Sequence, residues 1–193
     1  MKIAVVGGGF TGLTAAYYLS PNHEVSLYEK ENFLGGLAAS FRLKDWKWQV
    51  EQHYHHWFTS DREAINLIKK LNLSDKLIFP KTLTSIFFSD KTYPFNTPSQ
   101  ILSFDPLTFP ERIRVGIVSL ALKLLPPSIA IKLEKNPAKD WLTKYYGENV
   151  YRIVWKPLLE GKFGSFSNIV NMAWFWARVY KRTLKLGYLA GGY

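Results

Sequence analysis

Apolar and polar residues along the first thirty positions alternate between two short apolar runs and one helical stretch. Ile3-Ala-Val-Val6 is brief, apolar and partly β-branched, the pattern of a buried parallel strand. Leu13 to Leu19 has helical spacing and stops at Ser20-Pro21, where proline favours a helix end. Val25-Ser-Leu-Tyr28 reads as a second strand. Further on, residues 46–58 alternate with period two and carry many aromatics, which predicts an extended segment with both faces occupied. Asp61 is placed to cap a helix through Leu71, with Ala64, Ile65, Leu67, Ile68 and Leu71 as its buried stripe. Leu83 to Tyr93 predicts a hairpin turning at Ser89-Asp90. From Pro110 the pattern is helical to the end, broken at Pro126-Pro127, Asn136-Pro137 and Gly161 to Gly164. Pro137 suits a first helical position behind a capping Asn136.

Between the first strand and the first helix lie Gly7, Gly9 and Gly12. Gly7 suits the tight turn, Gly9 lets the backbone approach a pyrophosphate, and Gly12 lets helix and strand pack closely. Free N–H groups at the helix start face an anion. Glu29 ends the second strand, 22 residues after Gly7, where a carboxylate can accept hydrogen bonds from ribose hydroxyls. It would repel a 2′-phosphate, which disfavours NADP. Glycine-rich turns alone are weak signals; strand, turn, helix, strand and acid in this order point to a dinucleotide site.

The doublet Gly35-Gly36 follows six residues after Glu29. With it the chain resembles the flavin-dependent amine oxidase, phytoene desaturase and protoporphyrinogen oxidase superfamily. The likeness extends to Glu51–Phe58, Trp141-Leu142, Trp155–Leu159 and Gly187–Tyr193. It implies an α/β fold: a Rossmann-type FAD-binding start with an incomplete parallel sheet, and an inserted, mainly helical substrate region. On that plan residues 1–60 are the N-terminal part of the FAD domain and residues 61–193 the substrate helices and hairpin. The C-terminal part of the FAD domain is expected to be missing, as in a truncated frame or one half of a split protein. The implied cofactor is FAD, contacted by Gly7, Gly9, Phe10, Thr11, Gly12, Glu29, Lys30, Gly35, Gly36 and Leu37. Many relatives carry arginine where Leu37 stands, so the departure bears on amine oxidase activity more than on flavin binding. The segment Glu51–Phe58 passes near the flavin in the superfamily, so His55 and His56 are candidates for the flavin or substrate pocket; histidines packed among aromatics are the plainer alternative.

The implied activity is hydride transfer from a small organic substrate to the flavin, a step that needs few protein acids or bases. No residue pattern names a catalytic group. Two other readings stand beside it: a non-catalytic dinucleotide-binding module completed by a partner chain, and an NAD-binding protein. His53, His55 and Glu51 on one strand face could suggest a metal, but no fourth ligand completes a site, and none is expected.

Composition narrows the rest. The chain has no cysteine, which excludes disulfides, iron–sulfur clusters and a cysteinyl flavin. Its net charge is +10, and from Lys132 onward eleven basic residues face four acidic ones. Arg178, Lys181, Arg182 and Lys185 are spaced for one helix face. A solvated face is the plainest reading; the functional one is peripheral contact with an anionic membrane surface. Nucleic acid is not expected, because no recognition motif accompanies the charge. The apolar run 115–122 is too short to span a bilayer, which takes about 20 residues. The expected location is cytoplasmic, peripheral to the membrane if that contact is made.

Overall fold

The computed structural model describes residues 1–53 and 56–192. Two compact units divide the chain: Met1–Pro80 with Lys185–Tyr193, and Lys81–Leu184.

The first unit begins with β1 (Lys2–Val6), α1 (Phe10–Leu19) and β2 (Glu24–Tyr28). β1 and β2 pair in parallel from Lys2 opposite Glu24 to Val6 opposite Tyr28, the arrangement that a crossover through a helix allows. α1 ends at Ser20, whose N–H bonds Ala16 O, one residue before Pro21. Beyond a single helical turn at Gly36–Ala38, β3 (Ser40–Phe41) pairs antiparallel with β4 (Val50–Glu51). β5 (Trp57–Phe58), α2 (Arg62–Lys70) and β6 (Leu77–Ile78) complete this stretch. In α2 the buried positions are Leu67 and Ile68, while Leu71 is exposed. Asp61 stands at the N-cap but turns outward from the helix: its carboxylate accepts the Phe58 N–H at 2.8 Å.

The aromatic segment 46–58 is not one strand. The Trp46 N–H bonds back to Leu43 O in a turn, and among the described residues strand pairing is at Val50–Glu51 and Trp57–Phe58, with different partners. The alternation records a turn followed by two short strands.

The second unit opens with the hairpin of β7 (Ser85–Phe88) and β8 (Lys91–Pro94). Ser89 and Asp90 both take positive φ (48° and 60°), the turn that matches the twist of two antiparallel strands. Seven helices follow: α3 (Pro98–Leu102), α4 (Phe109–Leu124), α5 (Pro127–Ala130), α6 (Ala138–Tyr146), α7 (Glu148–Val150), α8 (Lys156–Phe163) and α9 (Met172–Lys181). A widened π turn at Tyr151–Trp155 joins α7 to α8. α3 and α4 each start with a capping box, Thr97 with Gln100 and Thr108 with Glu111. Pro137 occupies the N-cap of α6 rather than its first helical residue, because the Asn136 carbonyl is taken by the Met172 N–H at 2.8 Å. The core gathers Phe104, Leu107, Val115, Leu142, Tyr146, Leu159, Met172 and Phe175, all essentially inaccessible to solvent.

The chain is not helical to its end. It returns to the first unit as β9 (Leu186–Leu189), the central strand of a three-stranded antiparallel sheet in the order β5-β9-β6. Gly187 permits this, since a Cβ there would lie 2.7 Å from the Phe79 ring. The compact division falls after Pro80 rather than after residue 60: β6 and β9 pair with each other, and residues 61–80 and 185–192 group with the glycine-rich start.

Candidate functional site

The loop from β1 into α1 and the loop after β2 converge on one another. Gly7 adopts φ +100° and donates its N–H to Tyr28 O at 2.7 Å, closing the end of the parallel pair. Gly12 packs directly against that turn: a Cβ there would sit 1.9 Å from Gly7 O and 3.4 Å from Val5 Cγ1. Gly9 differs. It is the N-cap of α1 in an extended conformation, and the nearest neighbour of a Cβ there is Gly36 Cα at 3.9 Å. Its open side is the approach to the helix N-terminus.

That N-terminus has unsatisfied donors. No side chain caps α1, no acid lies in its first turn, and the first helical bond is Leu13 N–H to Gly9 O at 2.9 Å. The N–H groups of Phe10, Thr11 and Gly12 therefore have no protein acceptor among the described residues. Such donors, together with the helix dipole, favour an anion.

The second glycine pair lies against the first run. Gly35 N–H donates to Gly8 O at 2.8 Å, Gly9 and Gly35 form a parallel bridge, and a Cβ on Gly36 would reach within 3.1 Å of Gly9 Cα. Gly35 and Gly36 both need positive φ, 107° and 57°. Leu37, next in line, is exposed. The chain beyond stays close, with Gln52 N–H on Ala39 O and His53 N–H on Leu37 O. His56 is half-buried and edge-on to the Phe58 ring at 5.2 Å. His55 lies outside the described residues.

Glu29 joins the two loops. Its Oε2 accepts the Gly8 N–H at 2.5 Å, and Oε1 accepts the N–H groups of Lys30 (2.8 Å) and Glu31 (3.0 Å). The amides of Glu31 and Gly8, with a lesser contribution from that of Lys30, hold the carboxyl below the usual range against the opposing effect of burial. Glu29 is thus ionised at neutral pH and fixed in place. A carboxylate offers about four lone-pair directions, so three amides leave room for a hydroxyl donor. Gly8 escaped the sequence reading. Its side-chain space is filled by Leu34 Cδ2, which a Cβ would approach to 2.6 Å, and by Glu29; the triple glycine was the available signal.

These features test the fit of a dinucleotide on geometry alone. An uncapped helix start, a glycine with no neighbour over it and an anchored carboxylate at the end of the adjacent strand suit a diphosphate and a ribose. Among the described residues no group of three or more His, Asp or Glu side chains converges as metal ligands would.

The family model for flavin-containing amine oxidoreductases matches residues 10–187. The chain belongs to this family. The dinucleotide of that family is FAD. The 15-cis-phytoene desaturase of Synechococcus elongatus is 31% identical over 158 residues, which are 75% of this chain and 33% of the desaturase. The chloroplastic protoporphyrinogen oxidase 1 of Spinacia oleracea is 23% identical over 202 residues, 100% of this chain and 34% of its own. The chain thus spans about a third of the length of these curated relatives. Reduced UDP-galactopyranose mutase superposes with a TM-score of 0.66 at 18% identity, over 99% of this chain and 44% of the mutase. An oxidoreductase from Methanosarcina mazei superposes with a TM-score of 0.59 at 17% identity, over 100% and 46%. These likenesses establish the α/β fold of FAD-binding oxidoreductases.

The basic stripe expected at Arg178, Lys181, Arg182 and Lys185 does not form one helical face. α9 stops at Lys181, Arg182 leaves the helix to bond Thr84 Oγ1 (2.6 Å) and Asn96 Oδ1 (3.2 Å), and Lys185 belongs to the other unit. The last carbonyls of this region are instead capped by Lys123 of α4, whose ammonium reaches Tyr180 O at 2.6 Å and Arg182 O at 2.8 Å.

Proposed function

We propose that this chain supplies the nucleotide-binding start and substrate region of an FAD-dependent oxidoreductase that transfers hydride from a small organic molecule to flavin. The observation that carries the reading is the contact of Gly35-Gly36 with Gly8-Gly9 beside the uncapped start of α1. In this reading the amides of Phe10, Thr11 and Gly12 hold the diphosphate, and Glu29 accepts from the adenosine ribose. Gly9 and Gly36 keep the approach open, and Lys30 and Leu37 border it. The bound flavin would supply the hydride acceptor, while the chain binds and orients. Membership of the flavin family and the ionised Glu29 carboxylate, which would repel a 2′-phosphate, support FAD over NADP.

Mass spectrometry of the ligand released on denaturing the purified protein tests this. FAD is the expected mass, and NAD without flavin overturns the assignment.

We further propose peripheral contact with a membrane surface through α4. Phe109, Ile113, Ile117, Leu120 and Leu124 recur at helical spacing and are all exposed, Ile117 and Leu124 by 64% and 71%. Exposed Ile129 and Ile131 follow, beyond a 105° bend at Pro126-Pro127. Among the described residues no single helix is long and apolar enough to cross a bilayer. An apolar stripe lying in the interface, with Arg114, Lys132 and Lys135 exposed nearby in sequence, suits anionic lipid. Flotation with anionic liposomes should recover the protein, and Ile117→Asp with Leu124→Asp should abolish recovery; equal recovery of the variant removes the proposal.

A further inference from the structure

A cavity of about 470 Å³ lies wholly within the unit of residues 81–184. Its walls come from the hairpin (Ile86, Phe95), the π turn (Ile153, Trp155) and α9 (Phe175, Val179). The volume is that of small-molecule sites, which combine apolar walls with a few placed polar groups. π turns recur at functional positions because they displace side chains from the ordinary helical register. Here the turn delivers three consecutive residues, Ile153, Val154 and Trp155, to the cavity wall.

Two of the lining residues are arginines, Arg178 and Arg182. No carboxylate pairs with either among the described residues. Arg178 lies over the Trp174 ring, 5.2 Å from its centroid. Arg182 is oriented by Thr84 and Asn96, both bonded through Nη2. Its Nε–H and Nη1–H donors have no acceptor among the described residues, although a guanidinium carries five N–H groups in a fixed fork. Burial, and then the charge of Arg178, hold the Arg182 pKa below its usual range. An anion between the two would offset the mutual repulsion of the guanidinium charges. Trp155 also lines this wall, with its indole N–H buried behind the surface. Arg178 and Arg182 are both exposed, so their free N–H groups stand open to an incoming carboxylate or phosphate.

We propose that this cavity binds an anionic amphiphile, with the apolar body among Ile86, Phe95 and Phe175 and a phosphate or carboxylate held by Arg178 and Arg182. The inference rests on the reading of residues 81–184 as the substrate region, and it assigns that region's substrate to a charged class. A pure hydrocarbon would use neither guanidinium group. The orienting bonds from Thr84 and Asn96 make Arg182 the more directional of the two contacts.

Calorimetric titration of the full chain tests it with decyl phosphate, decanoate, decanol and inorganic phosphate, each below its micellar concentration. Decyl phosphate and decanoate should bind at least tenfold more tightly than decanol. Inorganic phosphate, lacking the tail, should compete only weakly. In Arg182→Gln, and more completely in Arg178→Gln with Arg182→Gln, the two anionic probes should fall to within about twofold of decanol, while decanol affinity stays unchanged. That unchanged affinity also reports that the variants are folded. Gly9→Ala, in the other unit, should leave decyl phosphate binding intact, so failure of the flavin reading and failure of this one are separable. Equal affinity for decyl phosphate and decanol, persistence of the preference in the double variant, or no binding of any probe overturns the proposal. Dominant binding by inorganic phosphate alone would also overturn it, by showing an ion site with no use for the cavity.

Discussion

The two units of this chain divide the labour of folding and recognition in opposite ways. In residues 81–184 a large cluster of side chains is sealed from water, and helix packing around Leu142, Tyr146 and Phe175 holds the structure. In the unit that carries the glycine loops, β1, α1 and β2 have no buried hydrophobic side chain, and few residues of the whole unit are buried. There the geometry is kept by backbone contacts so close that only glycine fits, and by the three amides on Glu29. One unit is specified by volume and the other by the absence of side chains. Substitutions should therefore fail differently in the two.

The largest effect belongs to the packed core. Leu142→Ala removes a fully buried side chain and should cost about 2–5 kcal/mol, read as a fall in the denaturant midpoint. A cost below 1 kcal/mol would show that the helical unit is looser than its burial implies.

Gly12→Ala comes next. Its Cβ would meet Gly7 O at 1.9 Å, and backbone on both sides must move, for a cost on the order of 1–3 kcal/mol. Thermal unfolding should report this loss, and FAD binding should be lost with it. A stable, FAD-binding variant would break the claim that close contact shapes the loop.

Lys123→Met separates a cap from a core. It removes the ammonium from the carbonyls at the end of α9 and should cost about 1–2 kcal/mol, less than the value for a fully buried charged bond because the group is partly exposed. Hydrogen exchange should show the loss at residues 179–182 first.

The smallest effect is in pH. Burial alone would raise the Glu111 pKa, but the N–H and hydroxyl of Thr108, the amide of Asn149 and the charge of Arg114 outweigh it and hold the carboxyl below 4.5. A depressed folded pKa stabilises the protein above the unfolded value, and that stability fades as pH falls through the folded value. Wild type should exceed Glu111→Gln in urea midpoint at pH 7, and the gap should narrow as pH falls below the ordinary carboxylate range. A constant gap would show that the carboxylate charge is not what matters.

Legibility in the sequence follows the same division. The strand, turn, helix, strand and acid of the first thirty residues were readable because each signal is local and glycine has few other reasons to recur there. The Ser89-Asp90 turn was readable for the same reason. The pairing partners of residues 50–51 and 57–58 were not, since alternation predicts extended backbone but not which strand lies beside it. Nor was the end of α9: helical spacing continues through Arg182 and Lys185, yet side-chain bonds to Thr84 and Asn96, far away in sequence, draw Arg182 off the helix. The cavity exists only where the hairpin, the π turn and α9 meet, so no single segment announces it.

The most direct measurement uses the difference between Gly9 and Gly12. A Cβ at Gly9 would touch nothing closer than Gly36 Cα at 3.9 Å, so Gly9→Ala should fold with an unchanged Tm in the absence of cofactor. The same methyl group would occupy the approach to the α1 amides. Titration with FAD, followed by flavin fluorescence and by the FAD-dependent rise in Tm, should show saturable binding to the wild type. Affinity in Gly9→Ala should be at least about tenfold weaker, a loss of about 1.4 kcal/mol. Undiminished FAD affinity in a folded Gly9→Ala would contradict the assignment of the diphosphate to this loop.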